Sequence, residues 1–191
     1  LTGHEEAFQP LADVLGAKAM LVAELSGDNP FDEAVSRPWR ELALRFPDKP
    51  IPAGGMATTV ELRGEADVSH EFAQADAQAI LDFLAIRGQL ALDHPLVPDR
   101  SCEPTPLAGS EALEAPVPGL VVFLCKTGQV VTAEMTVADI IDPATGSVTP
   151  VKATTSGVFY ARHNMRLVLA GRCIGKIAGK TAFRQGNLLG A

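Results

Sequence analysis

The character of the chain changes near residue 100, and this change most constrains what it can fold into. Residues 1–90 alternate segments with helical and strand-like spacing of apolar residues, whereas residues 115–180 hold short β-type runs separated by Gly and Pro. The first pattern predicts a largely parallel sheet covered by helices, and the second a β-sandwich or barrel. We therefore expect an α/β domain over 1–90, a Pro-rich linker over 91–114, an all-β domain over 115–180 and a tail over 181–191.

Apolar spacing in the first part predicts three helices and two strands. Helices are expected before Gly16, after Pro38 and before Gly88, because apolar residues recur three or four positions apart between these punctuating residues. The runs at 19–23 and 58–62 are typical of buried strands. Two strands are too few for a complete domain of this class, so we expect the α/β domain to be incomplete at its front.

The β part carries a weak internal repeat. Segment 115–121 matches 153–159 at an offset of 38, and Ile140 matches Ile177 at an offset of 37. Two copies of one four-strand unit predict a small sandwich or barrel with a pseudo-twofold axis.

Composition argues against several classes of partner. The chain has 191 residues, and its 23 acidic against 16 basic side chains give a net charge of −7. Nucleic acids and anionic membranes bind basic surfaces, so neither is expected as a partner. The longest apolar run, 120–125, is far too short to span a bilayer, and the first residues do not resemble a signal peptide. A cytoplasmic location is expected, and self-association into a homo-oligomer is left open.

The spacing of cysteine and histidine does not predict a metal site. Cys102, Cys125 and Cys173 are widely spaced and odd in number, which argues against a disulfide framework or a zinc knuckle. The four histidines are dispersed, and neither His-Glu-x-x-His nor His-x-x-Glu occurs. We therefore expect no complete zinc site from this chain alone.

Glu61 is the residue whose setting most strongly suggests chemistry. Its neighbours are Val60 and Leu62, so strand geometry would place the carboxylate opposite two apolar side chains. A carboxylate in a buried strand is costly unless it is paired or functional, and ligands of open α/β sheets bind at the carboxyl ends of strands. A solvent-exposed Glu at a strand end, or one paired with Arg63, explains the pattern equally well.

Arg63 would share the strand face of Glu61. A guanidinium there could bind a substrate carboxylate through two parallel hydrogen bonds. The alternative is an arginine in a surface salt bridge, which is the commoner use of such a residue.

Segment 58–64, Thr-Thr-Val-Glu-Leu-Arg-Gly, followed by Asp67-Val68 and the helix at Asp76-Ala77, resembles the succinylglutamate desuccinylase/aspartoacylase family of zinc-dependent deacylases, which are related to carboxypeptidases. The similarity extends over nearly the whole chain, through the segments 30–34, 115–119, 142–146 and 176–179. The resemblance implies a zinc-carboxypeptidase-like α/β domain and a hydrolase that cleaves a small N-acyl amino acid, or a related amide or ester, with metal-activated water.

The resemblance also implies roles for individual residues. Glu61 matches the general base, the glutamate of the family's Val-Glu-Leu motif, whereas no family role carries over to Arg63. The family's zinc is held by two histidines and a glutamate from a His-x-x-Glu motif and a later Asp-Leu-His segment, and this chain contains neither. We interpret the chain as the C-terminal part of a longer enzyme, with a small-molecule substrate and with the Zn²⁺ ligands upstream.

The β part resembles biotinyl and lipoyl carrier domains, whose fold is a barrel-sandwich hybrid. Carrier domains present a modifiable lysine at the hairpin between the two repeats, and the corresponding segment 141–147 contains no lysine. A carrier role is therefore not expected. The alternative to an enzyme is a non-catalytic interaction or lid module without activity of its own.

Overall fold

A computed structural model describes residues 5–23, 30–52 and 54–188 of the chain. The helices are α1 Glu5–Val14, α2 Phe31–Ala34, α3 Arg37–Arg45 and α4 His70–Ile86. The strands are β1 Met20–Val22, β2 Pro104–Pro106, β3 Ser110–Glu114, β4 Gly119–Phe123, β5 Gln129–Val131, β6 Thr136–Ile141, β7 Val148–Lys152, β8 Gly157–Arg162, β9 Leu167–Val168 and β10 Cys173–Gly179. None of the described helices is long and apolar enough to cross a bilayer.

The predicted helices are present, and local signals set their ends. Gly16 follows α1 with a φ of +60°, and Gly88 follows α4 with a φ of +69°, in the left-handed region that favours glycine. Ser69 caps the start of α4, because its side-chain oxygen accepts a hydrogen bond from the backbone N–H of Phe72.

One of the two strands expected in the first part forms, and the other does not. The run at 19–23 becomes β1, which pairs in parallel with β2, so that Met20 lies opposite Pro104. The prediction of a strand at 58–62 is wrong: this segment is irregular, and within the described residues it joins no sheet. A strand needs a neighbour to satisfy its backbone groups, and no described strand pairs with this segment.

The segment 91–114, expected to be a linker, contains β2, a 3₁₀ turn at Leu107–Gly109 and β3. It is also tied to the start of the chain. Gln9 Nε2 donates to the carbonyl oxygen of Cys102 at 3.0 Å, and the Ser101 hydroxyl donates to the carbonyl oxygen of Ala12 at 3.0 Å. These contacts connect α1 to the segment that leads into β2 and the β sheets.

The eight strands β3–β10 form two antiparallel four-stranded sheets, and the sequence repeat explains their order. One sheet has the order β3-β10-β8-β5 and the other β7-β6-β4-β9. Exchanging each strand for its counterpart four positions along the chain converts one order into the other. The predicted pseudo-twofold arrangement is therefore confirmed, while the described sheets stay open and do not close into a barrel.

Glycines at equivalent positions show how closely the two repeats match. A Cβ added at Gly119 would lie 2.6 Å from the carbonyl oxygen of Ile141, and one at Gly157 would collide with the carbonyl oxygen of Ala178. Both pairs are related by the offsets of the sequence repeat. The same close backbone approach thus requires glycine at the start of β4 and of β8.

The core lies between the two antiparallel sheets. The largest fully buried side chains all belong to this region, namely Phe159, Ile140, Ile174, Ile177, Val131 and Val137. Among the described residues of 5–90, the buried apolar side chains are those of Phe8, Ala12 and Ala79. The β sheets therefore hold most of the apolar burial that stabilises the chain.

We expect Ile140→Ala and Ile177→Ala each to lower the free energy of unfolding by about 2–5 kcal/mol, because each leaves a cavity in a fully packed core. Both isoleucines are 0% exposed and occupy equivalent positions in the two repeats, so the two losses should be similar. Val130→Ala is the control, since Val130 is 70% exposed on β5 and its truncation should cost less than about 0.5 kcal/mol. Urea denaturation followed by circular dichroism measures all three, and a loss in one isoleucine variant alone would contradict the equivalence.

Candidate functional site

Glu61 lies on an exposed, irregular segment, residues 57–64, between α3 and α4. Within the described part of the chain, its carboxylate has neither a hydrogen-bond nor an ion-pair partner. Of the settings that the sequence allowed, the structure shows a solvent-exposed Glu that is not paired with Arg63. Both carboxylate oxygens are therefore available to a ligand.

Arg63 is paired with α4. Its Nη1 and Nη2 donate to the two carboxylate oxygens of Asp76 at 2.6 and 2.9 Å, and its guanidinium lies 4.2 Å from the centroid of the Phe72 ring. Phe72 and Asp76 are four residues apart on α4 and so lie on the same face of the helix. The substrate-binding role of Arg63 stays a prediction.

The charges of this pair stabilise each other. The hydrogen bonds from Arg63 hold the pKa of Asp76 below its ordinary value, and the same bonds raise the pKa of Arg63. The negative charge of Asp67 raises the pKa of Arg63 further. Both partners therefore remain ionised at neutral pH.

Other side chains hold the same segment on either side of Glu61. The Thr59 hydroxyl donates to Asp32 Oδ2 at 2.9 Å, and the backbone N–H of Gly64 donates to Asp67 Oδ2 at 3.1 Å. Arg63 itself has a left-handed backbone with a φ of +48°, which turns the chain toward α4. Contacts at Thr59 and Gly64 thus hold the segment on either side of Glu61, although within the described chain this segment is not a strand.

The segment also approaches the β sheets. Asn164 Nδ2 donates to Glu65 Oε1 at 3.3 Å. Tyr160 on β8 lies near enough to Glu61 to feel its charge: burial raises the pKa of Tyr160, the hydrogen bond with Ser110 lowers it, and the negative charge of Glu61 adds a smaller rise. Sequence analysis missed Tyr160, because a lone tyrosine in a strand looks like a packing residue.

Two cavities lie on the β sheets. One of about 270 Å³ is lined by His163, Met165, Leu167, Val168, Leu169, Arg172 and Cys173, and an open groove of about 530 Å³ lies beside β5 and Lys180. Neither is lined by Glu61 or Arg63. These two cavities are therefore separate from the surroundings of Glu61.

The described residues by themselves do not fit a zinc site. Over 5–23, 30–52 and 54–188, no group of three or more His, Cys, Asp or Glu side chains could hold a metal ion, and His4 lies outside these ranges. His163 Nδ1 already accepts a hydrogen bond from the backbone N–H of Met165 at 3.0 Å. Burial raises the pKa of Cys102 and of Cys125, which keeps both thiols protonated at neutral pH.

No protein-family model matches the chain, and no curated protein matches it significantly. Solved structures do. A succinylglutamate desuccinylase/aspartoacylase family protein from Shewanella amazonensis aligns with a TM-score of 0.69 and 25% identity, over 78% of this chain and 42% of the other. A succinylglutamate desuccinylase/aspartoacylase from Shewanella frigidimarina aligns with a TM-score of 0.65 and 24% identity, over 78% and 41% of the two chains.

A third similar structure is the apo form of the ectoine utilization protein EutE from Ruegeria pomeroyi, with a TM-score of 0.66 and 16% identity over 93% of this chain and 52% of that protein. The chain thus spans about half of the length of these proteins or less. The resemblance that the sequence indicated is confirmed at the level of structure: the chain shares its fold with proteins of the succinylglutamate desuccinylase/aspartoacylase family.

Proposed function

We propose that the chain is the C-terminal part of a zinc-dependent deacylase that hydrolyses a small N-acyl amino acid, or a related amide or ester, in the cytoplasm. The observation that carries this proposal is the fold shared with the Shewanella amazonensis protein, at 25% identity over 78% of this chain. The chain spans 42% of that protein, which leaves room for further catalytic residues outside this sequence.

Glu61 is the general base in this proposal. A general base takes a proton from the attacking water and delivers it to the leaving group, and it must reach both from a fixed position. Two features support Glu61: its carboxylate has no partner within the described residues, and contacts of Thr59 and Arg63 hold the segment on either side of it. A base that was already paired would have to break that contact first.

The zinc ligands of the proposed enzyme lie outside the described residues. No described cluster fits the metal, and the family's two ligand motifs do not occur in this sequence. The role that we assign to this chain is therefore to supply the base and its supporting structure. The substrate and the metal would be bound mainly by other parts of the polypeptide.

In the full-length protein, we expect Glu61→Gln to lower kcat by roughly 10²–10⁴-fold, the usual contribution of general-base catalysis. The amide has nearly the shape of the carboxylate but cannot accept the proton. Zinc content, measured by atomic emission, should not change, because Glu61 is not a ligand. Kinetics on N-acyl amino acids and the metal measurement together test the assignment.

The matched control is Glu71→Gln, which removes an exposed carboxylate in the first turn of α4, outside segment 57–64. It should leave kcat within about twofold of the unmodified enzyme. Near-normal turnover in Glu61→Gln, or loss of zinc from it, would refute the role of Glu61.

We further expect the 191-residue chain, dialysed against Zn²⁺ and then against buffer, to retain well under one zinc per chain, whereas the full-length protein should retain about one. A tightly bound equivalent in the 191-residue chain would show that its own residues form the site. If the full-length protein lacked the His-x-x-Glu and Asp-Leu-His motifs, the non-catalytic interaction or lid module would be the better interpretation.

A further inference from the structure

Within the described residues, segment 57–64 is held by side-chain contacts and not by pairing with a strand. It belongs to no sheet or helix of the described chain, so side chains rather than a backbone ladder determine its position. Its most extensive contact is that of Arg63 with Asp76 and Phe72 of α4. Glu61 is two residues away from this contact.

We propose that Arg63 is a positioning residue, which with Asp76 and Phe72 fixes the segment bearing Glu61 against α4 and does not itself bind the substrate. This inference rests on the proposed function, in which Glu61 is the general base. It assigns to Asp76 and Phe72 a role in catalysis through Glu61, although neither touches the reacting atoms.

The geometry of the guanidinium supports this assignment. Both of its terminal nitrogens donate to Asp76, and its central carbon, Cζ, lies over the Phe72 ring at 4.2 Å from the ring centroid. A substrate carboxylate that approached the two terminal nitrogens end-on would have to displace Asp76 from them. The pairing is partly shielded, with the side chains of Arg63 and Asp76 32% and 15% exposed.

The backbone supports it as well. Arg63 has a φ of +48°, a conformation that non-glycine residues adopt infrequently and that needs support from its surroundings. Gly64 then donates its N–H to Asp67, and the N–H of Asp67 donates back to the carbonyl oxygen of Gly64 at 2.9 Å. The turn and the ion pair together connect the segment to the start of α4.

Lysine cannot replace arginine in this contact. An ammonium group lacks the planar fork that meets both oxygens of Asp76 and cannot stack over a ring in the same way. Arg63→Lys therefore keeps the charge but loses the fixed geometry. Asp76→Asn removes the negative charge from the other partner while leaving the Arg63 side chain chemically unchanged.

The first experiment measures mobility in the full-length protein by ¹⁵N relaxation. We expect the backbone order parameter at Glu61 to fall from about 0.8 to below about 0.6 in both Arg63→Lys and Asp76→Asn. The control is Arg100→Lys, because Arg100 forms an exposed ion pair with Glu103 at the same 2.6 Å but lies far along the chain from segment 57–64. Unchanged order at Glu61 in both variants would overturn the proposal.

The second experiment measures kinetics in the full-length protein. We expect each variant to lower kcat by roughly 10- to 100-fold with little change in KM, since a displaced base reacts poorly while the substrate still binds. The double variant should be no worse than either single variant, because both break one contact. Arg100→Lys should behave like the unmodified enzyme.

Asp76→Asn distinguishes the positioning role from direct substrate binding. If Arg63 were a substrate ligand, freeing it from Asp76 would leave KM unchanged or lower it, and Arg63→Lys alone would raise KM; that result would overturn the proposal. The two proposals also fail separately: Glu61→Gln with normal turnover refutes the general base, whereas the order parameters still decide whether Arg63 fixes the segment.

Discussion

The ion pair between Arg63 and Asp76 gives a defined position to a part of the chain that has no regular structure. Because the bonds from Arg63 depress the pKa of Asp76, the stabilisation from this pair is fully present above the unfolded-state pKa of about 3.9 and is lost as the pH falls through the lower folded value. The contact is therefore intact over the whole neutral range. Together with the contact of Thr59 with Asp32, it holds the segment that bears Glu61, which joins no sheet within the described residues.

The two four-stranded β sheets contain most of the buried core of the described chain, whereas segment 57–64 has no regular structure. Their strand orders are related by exchange of the repeats, and their core holds the largest fully buried side chains. At the hairpin between the repeats, Asp142 accepts hydrogen bonds from the Ala144 N–H at 2.9 Å and the Thr145 hydroxyl at 2.7 Å. The polar groups of this hairpin thus bond to one another, which gives it a closed turn of its own.

Local signals in the sequence predicted much of the fold. The helix ends at Gly16 and Gly88 and the strand at 19–23 were predicted because each depends on neighbouring residues. The repeat was predicted because two segments match at a nearly constant offset. The predicted strand at 58–62 does not form. Its β-branched residues favour extended backbone, but a strand also needs a neighbouring strand to pair with, which local sequence does not specify. β2 was missed because Pro104 and Pro106 look like linker residues, although proline is tolerated at the edge of a short sheet.

The candidate site was predicted only in part for a similar reason. Glu61 and Arg63 lie in one short motif, but Asp76 is 13 residues from Arg63, and the contact between Asn164 and Glu65 joins residues 99 apart. A single sequence carries no information on such pairings beyond their residue types.

The parallel pairing of β1 with β2 has a consequence for how the chain folds. Met20 lies opposite Pro104, so the pairing closes a loop of more than 80 residues that contains α4 and the segment bearing Glu61. Closing a long loop costs chain entropy before the contacts within it form, and packing of α1 on α4 belongs to the same closure. The hairpin of β6 and β7, in contrast, joins strands that are adjacent in sequence. This hairpin therefore forms at a smaller entropy cost than the β1–β2 pairing that encloses the segment bearing Glu61.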